Sequence, residues 1–354
     1  MANGEDGSGL KLSMLLIDQL YSQQNLQLAA QVGCKEVVAV WPRDRGMLQA
    51  AEAAAVDAGL HIGVIEGYGT DDLPLEPIIH NTAGRDAAVA EIAERIQWMG
   101  QLGIPVLCYN WMPSADWSRT SVTDVERGGA LVTSFVLGDQ LVLDGAGSLQ
   151  VTDQEEAQLK TERGARRTPA SELWQNLESF LREILPVCEA AGVSLAMHPD
   201  DPPLPELNGH PQIMGSVDSL QRLCQLVPSH CNGITYCQGS LAAASEDILG
   251  GIRRLGQHIK FAHFRDEVGG TEEGYFRETF QDTGKTDMAG AIAAYRAVGF
   301  AAEIPIRPDH TPTLAGESNE YPGYHILGRL WAVGYMKGLI EATGAAAARS
   351  DARL

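Results

Sequence analysis

The chain has far too few basic residues to offset its acidic ones: 26 Lys and Arg stand against 46 Asp and Glu, a formal net charge of −20 at pH 7. A surface of that sign repels phosphate backbones and anionic headgroups, which argues against nucleic acid and membrane surfaces as partners. No apolar run approaches the ~20 residues needed to cross a bilayer. The opening segment MANGEDGSGL is acidic and polar, unlike a secretory or transit peptide. Cysteine is sparse, and its six positions (34, 108, 188, 224, 231 and 237) contain no CxxC pair and no disulfide-type spacing. In a chain of this length they read as buried, reduced thiols. The expectation is a soluble cytoplasmic protein. An acidic ligand would need local cations to overcome the global field.

What is present is a regular alternation of strand-like and helix-like segments over 354 residues, 44% of them hydrophobic, with 38 glycines. That suits one α/β domain built as a (β/α)₈ TIM barrel with parallel strands and crossover helices. Four strands are expected at Lys11–Leu16, Glu36–Trp41, His61–Glu66 and Pro105–Asn110. Helices are expected near Asp18–Val32, Gly46–Ala58 and Arg85–Leu102. The rhythm breaks after the fourth strand. Residues 111–170 read as a long insertion forming a lid, with a hairpin at Ala130–Leu143 and a charged stretch at Asp153–Arg167. The domain is expected to span 11–343, with a flexible start (1–10) and a frayed tail (344–354).

In the second half, four apolar runs each stop at a side chain with metal affinity: His198 in SLAMHPDDPP, Cys237 in GITYCQGS, His263 in IKFAHFRD and Asp309 in EIPIRPDH. They are 39, 26 and 46 residues apart, each gap long enough for a loop, a helix and the next strand. Alone, Cys237 reads as a small buried hydrophobe and His198 as part of a stiff turn. Together, at the carboxyl ends of four successive barrel strands, they converge on one point, and a divalent cation is the simplest reason for that. Zinc would be satisfied by these four ligands, as in a closed structural site. Mn²⁺ or Fe²⁺ accepts further oxygen donors and is the expected cofactor, with Co²⁺ or Zn²⁺ as substitutes.

Several motifs carry a family resemblance. CYNWMPSADWSRT (108–120), MHPDDPP (197–203), CQGS (237–240), AHFRD (262–266), RPDH (307–310) and YPGYHILGR (321–329) resemble, in this order, those of the mannonate dehydratases. The similarity runs from about Ala58 to Leu339. It implies a xylose-isomerase-like barrel and a Mn²⁺- or Fe²⁺-dependent β-elimination that converts D-mannonate to 2-keto-3-deoxy-D-gluconate and water. By motif, the family's metal ligands fall on His198, Cys237, His263 and Asp309, and its catalytic histidine and tyrosine on His310 and Tyr324. Which of that pair is acid and which is base stays open at this point.

Arg119, Arg265 and Arg307 are candidate clamps for a substrate carboxylate; Arg307 is alternatively a buried partner that holds Asp309. Asp200 and Asp201 are candidates for accepting substrate hydroxyls or orienting the metal's histidines. Asn110 and Trp111 are candidates for lining the sugar pocket. The expected partners are a small-molecule sugar acid and further copies of the chain in a dimer or tetramer. Three departures from the family pattern stand out. The first strand, KLSMLLIDQLY, lacks the arginine of an FRWYG-like segment; TPTLAGE (311–317) replaces Gly-His after RPDH; and Gln281 stands where a histidine is expected. These leave open a different sugar acid, another isomerase, epimerase or lyase on the same barrel, or a non-catalytic sugar-acid-binding homologue.

Overall fold

Eight parallel strands close into a barrel: β1 (Leu10–Leu16), β2 (Glu36–Val40), β3 (Ile62–Glu66), β4 (Val106–Tyr109), β5 (Ser194–Met197), β6 (Asn232–Cys237), β7 (Ile259–Phe264) and β8 (Ile304–Pro308). This is a computed structural model, and it describes residues 9–40, 44–67, 73–114, 117–144, 167–300 and 302–351. Each strand is followed by a helix: α1 (Gln23–Val32), α2 (Arg45–Asp57), α3 (Arg85–Leu102), α4 (Ala170–Ala191), α5 (Val217–Leu226), α6 (Ile248–Leu255), α7 (Met288–Val298) and α8 (Ile326–Asp351). Side-chain caps set several helix starts. Ser22, Asp44, Asp247 and Asp287 each accept a backbone N–H three residues on, satisfying a donor that the first helical turn leaves free.

Alternation along the strands sorts side chains into two layers. A large apolar core lies between strands and helices and includes Ile62, Leu107, Phe180, Leu195, Ile234 and Ile306. A smaller cluster of Leu15, Val38, Val64, Val106, Cys108, Ala196 and Phe261 fills the barrel interior. The interior is therefore packed, and chemistry is confined to the ends of the strands.

The insertion after β4 departs from expectation. Leu131–Val136 does not form a hairpin with the segment that follows it. It pairs antiparallel with the upstream Ser121–Val125 and, on its other edge, with Tyr275–Glu278 from the loop after β7. With both edges occupied, the following segment goes elsewhere, and Leu143–Asp144 pairs with Ser118–Arg119. Glu267–Gly270 completes this four-stranded sheet beyond Tyr275–Glu278. The stretch Asp153–Arg167 lies outside the described residues except for Arg167 itself. At the other end, α8 runs on through Asp351 where a frayed tail was expected from 344. Four consecutive alanines, 345–348, are the best helix formers and favour that continuation. The flexible start expected for 1–10 is only partly described: residues 1–8 lie outside, and Leu10 already belongs to β1.

Candidate metal centre and proton-transfer pair

Strand alternation delivers the four candidate ligands. On β7, Ala262 and Phe264 join the outer core, so Phe261 and His263 turn inward, their rings 4.6 Å apart. On β6, Ile234 and Tyr236 face the helices, while Thr235 donates to Ala196 O across the interior and Cys237 shares its face. Register aligns the strand ends: Cys237 lies opposite His263, and His263 opposite Arg307, two residues before Asp309. His198 directly follows β5. All four residues are buried, and one ligand atom from each lies within 4.8 Å of all the others.

The neighbours of the two imidazoles argue for what belongs between them. His198 Nδ1 is 2.6 Å from the Pro199 carbonyl oxygen, which makes Nδ1 the donor and leaves a lone pair on Nε2. His263 Nε2 lies 3.3 Å from Glu66 Oε1, and a proton held on that side would leave the lone pair on Nδ1. These two nitrogens lie 3.2 Å apart. Two acceptors facing each other beside a carboxylate and a thiol call for an electrophile, and the N₂SO donor set fits a borderline divalent cation. Burial lowers the pKa of His198, which favours the neutral, ligating form. Burial alone would push the Asp309 carboxyl up, but His310, His263, Arg307 and Arg265 outweigh it and hold the group well below the usual carboxylate range. Ser240 donates to Cys237 Sγ at 3.2 Å.

Around this cluster runs a chain of alternating charges. Arg307 forks onto Glu66 (Nε to Oε1 2.6 Å, Nη2 to Oε2 2.8 Å) and donates to Asp309 Oδ1 at 2.9 Å. Arg265 Nη1 donates to Asp309 Oδ2 at 3.2 Å and to Asp201 Oδ2 at 2.6 Å. Arg119 forks onto Asp201 at 2.8 and 3.0 Å and reaches Glu278 Oε1 at 2.6 Å. All three guanidiniums are buried and engaged by the protein's own carboxylates. Burial works against the charge on Asp201, but Arg119 and Arg265 keep its carboxyl well below the usual range. Gly239 in CQGS is required here, because a Cβ at that position would overlap Arg265.

Glu278 leads from this chain to His310 and Tyr324, the candidate proton-transfer pair. His310 Nδ1 lies 2.7 Å from Glu278 Oε1, and its Nε2 lies 2.9 Å from the Tyr324 hydroxyl. The Trp117 ring packs on His310 with centroids 4.3 Å apart. Burial favours the neutral phenol and raises the Tyr324 pKa well above its ordinary value. Burial is likewise opposed at Glu278, where His310 and Arg119 hold the carboxyl at about 2.

The remaining sequence candidates lie apart from this centre or beside it. Asp200 is buried and accepts Met214 N at 2.6 Å. Asn110 is buried just beyond β4. Trp111 stacks on Phe180 of α4 in the barrel–helix core rather than facing the ligand cluster. Gln281, in place of the expected histidine, donates to the His310 carbonyl at 2.9 Å. Sequence reasoning missed Glu66 and Glu278. Glu66 carries the same signal as the four ligands, a polar residue that stops an apolar run. Glu278 lies on a strand outside the barrel, where no barrel periodicity points to it.

A closed eight-stranded parallel barrel with a buried N₂SO cluster at the carboxyl ends of its strands defines a TIM barrel with a candidate metal site. Its shape is similar to that of the L-ribulose 3-epimerase structure, with a TM-score of 0.58 at 15% identity over 97% of both chains, a likeness of fold alone. Residues 32–350 match the family described as D-mannonate dehydratase (UxuA). The mannonate dehydratase of Streptococcus equi subsp. zooepidemicus is 33% identical over 307 residues, covering 83% of this chain and 81% of that protein. The crystal structure of mannonate dehydratase from Streptococcus suis serotype 2 superposes with a TM-score of 0.83 at 29% identity, covering 96% of both chains. The chain belongs to the mannonate dehydratase family, a family of metal-dependent hydro-lyases.

Proposed function

We propose that this protein dehydrates D-mannonate to 2-keto-3-deoxy-D-gluconate, with His198, Cys237, His263 and Asp309 holding one Mn²⁺ or Fe²⁺ and with His310 and Tyr324 moving the protons. The observation that carries this reading is the pairing of His310 Nε2 with the Tyr324 hydroxyl at 2.9 Å, one residue beyond candidate ligand Asp309. When bound, the cation supplies Lewis acidity toward the substrate carboxylate and its neighbouring hydroxyl.

The residues divide the proton work. Glu278 holds Nδ1–H of His310, so Nε2, which faces the Tyr324 hydroxyl, is the basic nitrogen and takes the C2 proton once that hydroxyl turns to the leaving group. The C2–H electron pair becomes the C2–C3 double bond, the C3–O bond breaks, and the departing hydroxyl leaves as water with the proton of Tyr324. His310 then returns its proton to the Tyr324 oxygen across their hydrogen bond, restoring both groups. The enol product tautomerises to the 2-keto-3-deoxy acid, and no proton is gained or lost overall.

The test is metal analysis together with product analysis on a panel of stereoisomeric hexonates and hexuronates with added Mn²⁺. Formation of a 2-keto-3-deoxy acid from D-mannonate supports the reading; an isomer that retains the elements of water, or no turnover of any sugar acid, sinks it. We also read the protein as a cytoplasmic homo-oligomer. The acidic composition supports a soluble setting, and among the described residues no helix is long and apolar enough to cross a membrane.

A further inference from the structure

Arg119, Arg265 and Arg307 each meet a carboxylate; Arg329, on α8 and equally buried, meets none among the described residues. Its Nη1 donates to Leu15 O at 3.1 Å and its Nη2 to Gly323 O at 3.4 Å, while Nε has no partner. A cation buried without a counter-ion is strongly unfavourable. Burial first, then repulsion from Arg307, brings the Arg329 pKa down to about 10, which still leaves the group charged at neutral pH.

The guanidinium carbon sits 4.8 Å from the centroid of the Tyr324 ring. Gly323 turns at φ +80°, where a Cβ would press on His310, and its carbonyl accepts from Arg329 while the next residue faces His310. Five charged or titratable groups act on Tyr324. His310 touches its hydroxyl from the loop after β8, Arg329 covers its ring from α8, and Arg307, Asp309 and Glu66 act from the ends of β8 and β3. Asp309 and Glu66 oppose a phenolate. Arg307 favours one, but both of those carboxylates already engage it. Arg329 is the uncommitted positive charge.

We propose that Arg329 is a positioning residue that stabilises the Tyr324 phenolate formed as the tyrosine gives its proton to the leaving hydroxyl. The proposal rests on the dehydratase reading for its role in turnover, while the Arg329–Tyr324 coupling is measurable without it. The experiment uses the metal-loaded full chain in three forms: wild type, R329M and R329K. In each form Tyr324 is replaced by a ring-fluorinated tyrosine, whose phenol ionises at lower pH where Arg329 keeps its charge, and that ionisation is read by ultraviolet absorbance as the difference from the Tyr324→Phe counterpart.

In R329M the tyrosinate transition should move up by a pH unit or more, and kcat should fall at least tenfold. KM should change less than threefold and metal content should be unchanged. R329K keeps the charge and should restore most of both. If R329M does not fold, R329Q, which also removes the charge, is read the same way. An unmoved tyrosinate transition with unchanged kcat in the neutral variant overturns the proposal. So does an R329K protein, folded and metal-loaded, that behaves like R329M. A shifted transition in a protein that dehydrates no sugar acid would sink the dehydratase reading and leave the coupling standing.

Discussion

Glu278 Oε1 lies 2.7 Å from His310 Nδ1, and this single contact decides which nitrogen of the imidazole is available for chemistry. It fixes the tautomer from a strand that belongs to the four-stranded sheet outside the barrel. That sheet is thereby tied to the His310–Tyr324 pair.

Glu278→Gln should lower kcat by roughly tenfold or more, because the amide supports the imidazolium formed during turnover far less well than the carboxylate does. Metal content should stay at the wild-type level. Steady-state kinetics with parallel metal analysis checks this, and an unchanged kcat would remove Glu278 from the mechanism.

His310→Asn and Tyr324→Phe should each retain fold and metal but lose about 10²-fold or more in turnover, the usual scale for a positioned acid or base. Circular dichroism and metal analysis establish that the site is intact before rates are compared. Near-wild-type rates in both variants would assign the proton transfers to other groups.

Chelation should abolish activity, and Mn²⁺ or Fe²⁺ should restore it more readily than Mg²⁺, since a thiolate among imidazoles disfavours a hard cation. Cys237→Ser should bind the metal more weakly. Equal metal retention by that variant after dialysis would take Cys237 out of the ligand set.

Glu66→Ala should be severely destabilising. It strips both fork contacts from the buried Arg307 and the carboxylate facing His263 Nε2. Removing one member of a buried ion pair typically costs about 3–5 kcal/mol. Urea unfolding of the metal-free protein measures this; a loss under 1 kcal/mol would mean that the cavity rehydrates cheaply.

Asp266 offers a pH test away from the metal. Its Oδ1 accepts the Glu267 and Thr286 amides at 3.0 Å, and burial nonetheless raises its carboxyl to about 6. A raised acid is favoured protonated in the folded state, so stability should fall as pH climbs from the ordinary carboxylate range through about 6. Asp266→Asn keeps an oxygen for both amides and cannot ionise. Between pH 4 and 8 it should gain on wild type by up to about 3 kcal/mol. Parallel melting curves that keep a constant gap across that range would refute this.

The barrel strands and the four candidate ligands were legible because one physical signal marks both: an apolar run that ends abruptly in a polar side chain at the mouth. Glu66 carried that signal too and went uncounted, since a glutamate ending a strand suggests solvent as readily as an arginine. The fate of Arg119, Arg265 and Arg307 was only half legible. Their chemistry suits a carboxylate, but Glu66 lies 241 residues from Arg307 and Glu278 lies 159 residues from Arg119. No local pattern announces such a partner. The pairing of Leu131–Val136 is hidden for the same reason: one of its two partners is Tyr275–Glu278, far along the chain.

The alternating chain from Glu66 through Arg307, Asp309, Arg265, Asp201 and Arg119 to Glu278 draws on the ends of β3 and β8 and on the loops after β4, β5 and β7. Among the described residues, β1 and β2 contribute nothing to it. Deleting any one member strands a charge of the opposite sign, so this half of the mouth is locked against gradual change. The other half, where β1 is followed by Ile17–Asp18 instead of an arginine-bearing segment, can change without that penalty. Divergence toward new sugar acids has a preferred direction around the barrel rim, and it starts at β1.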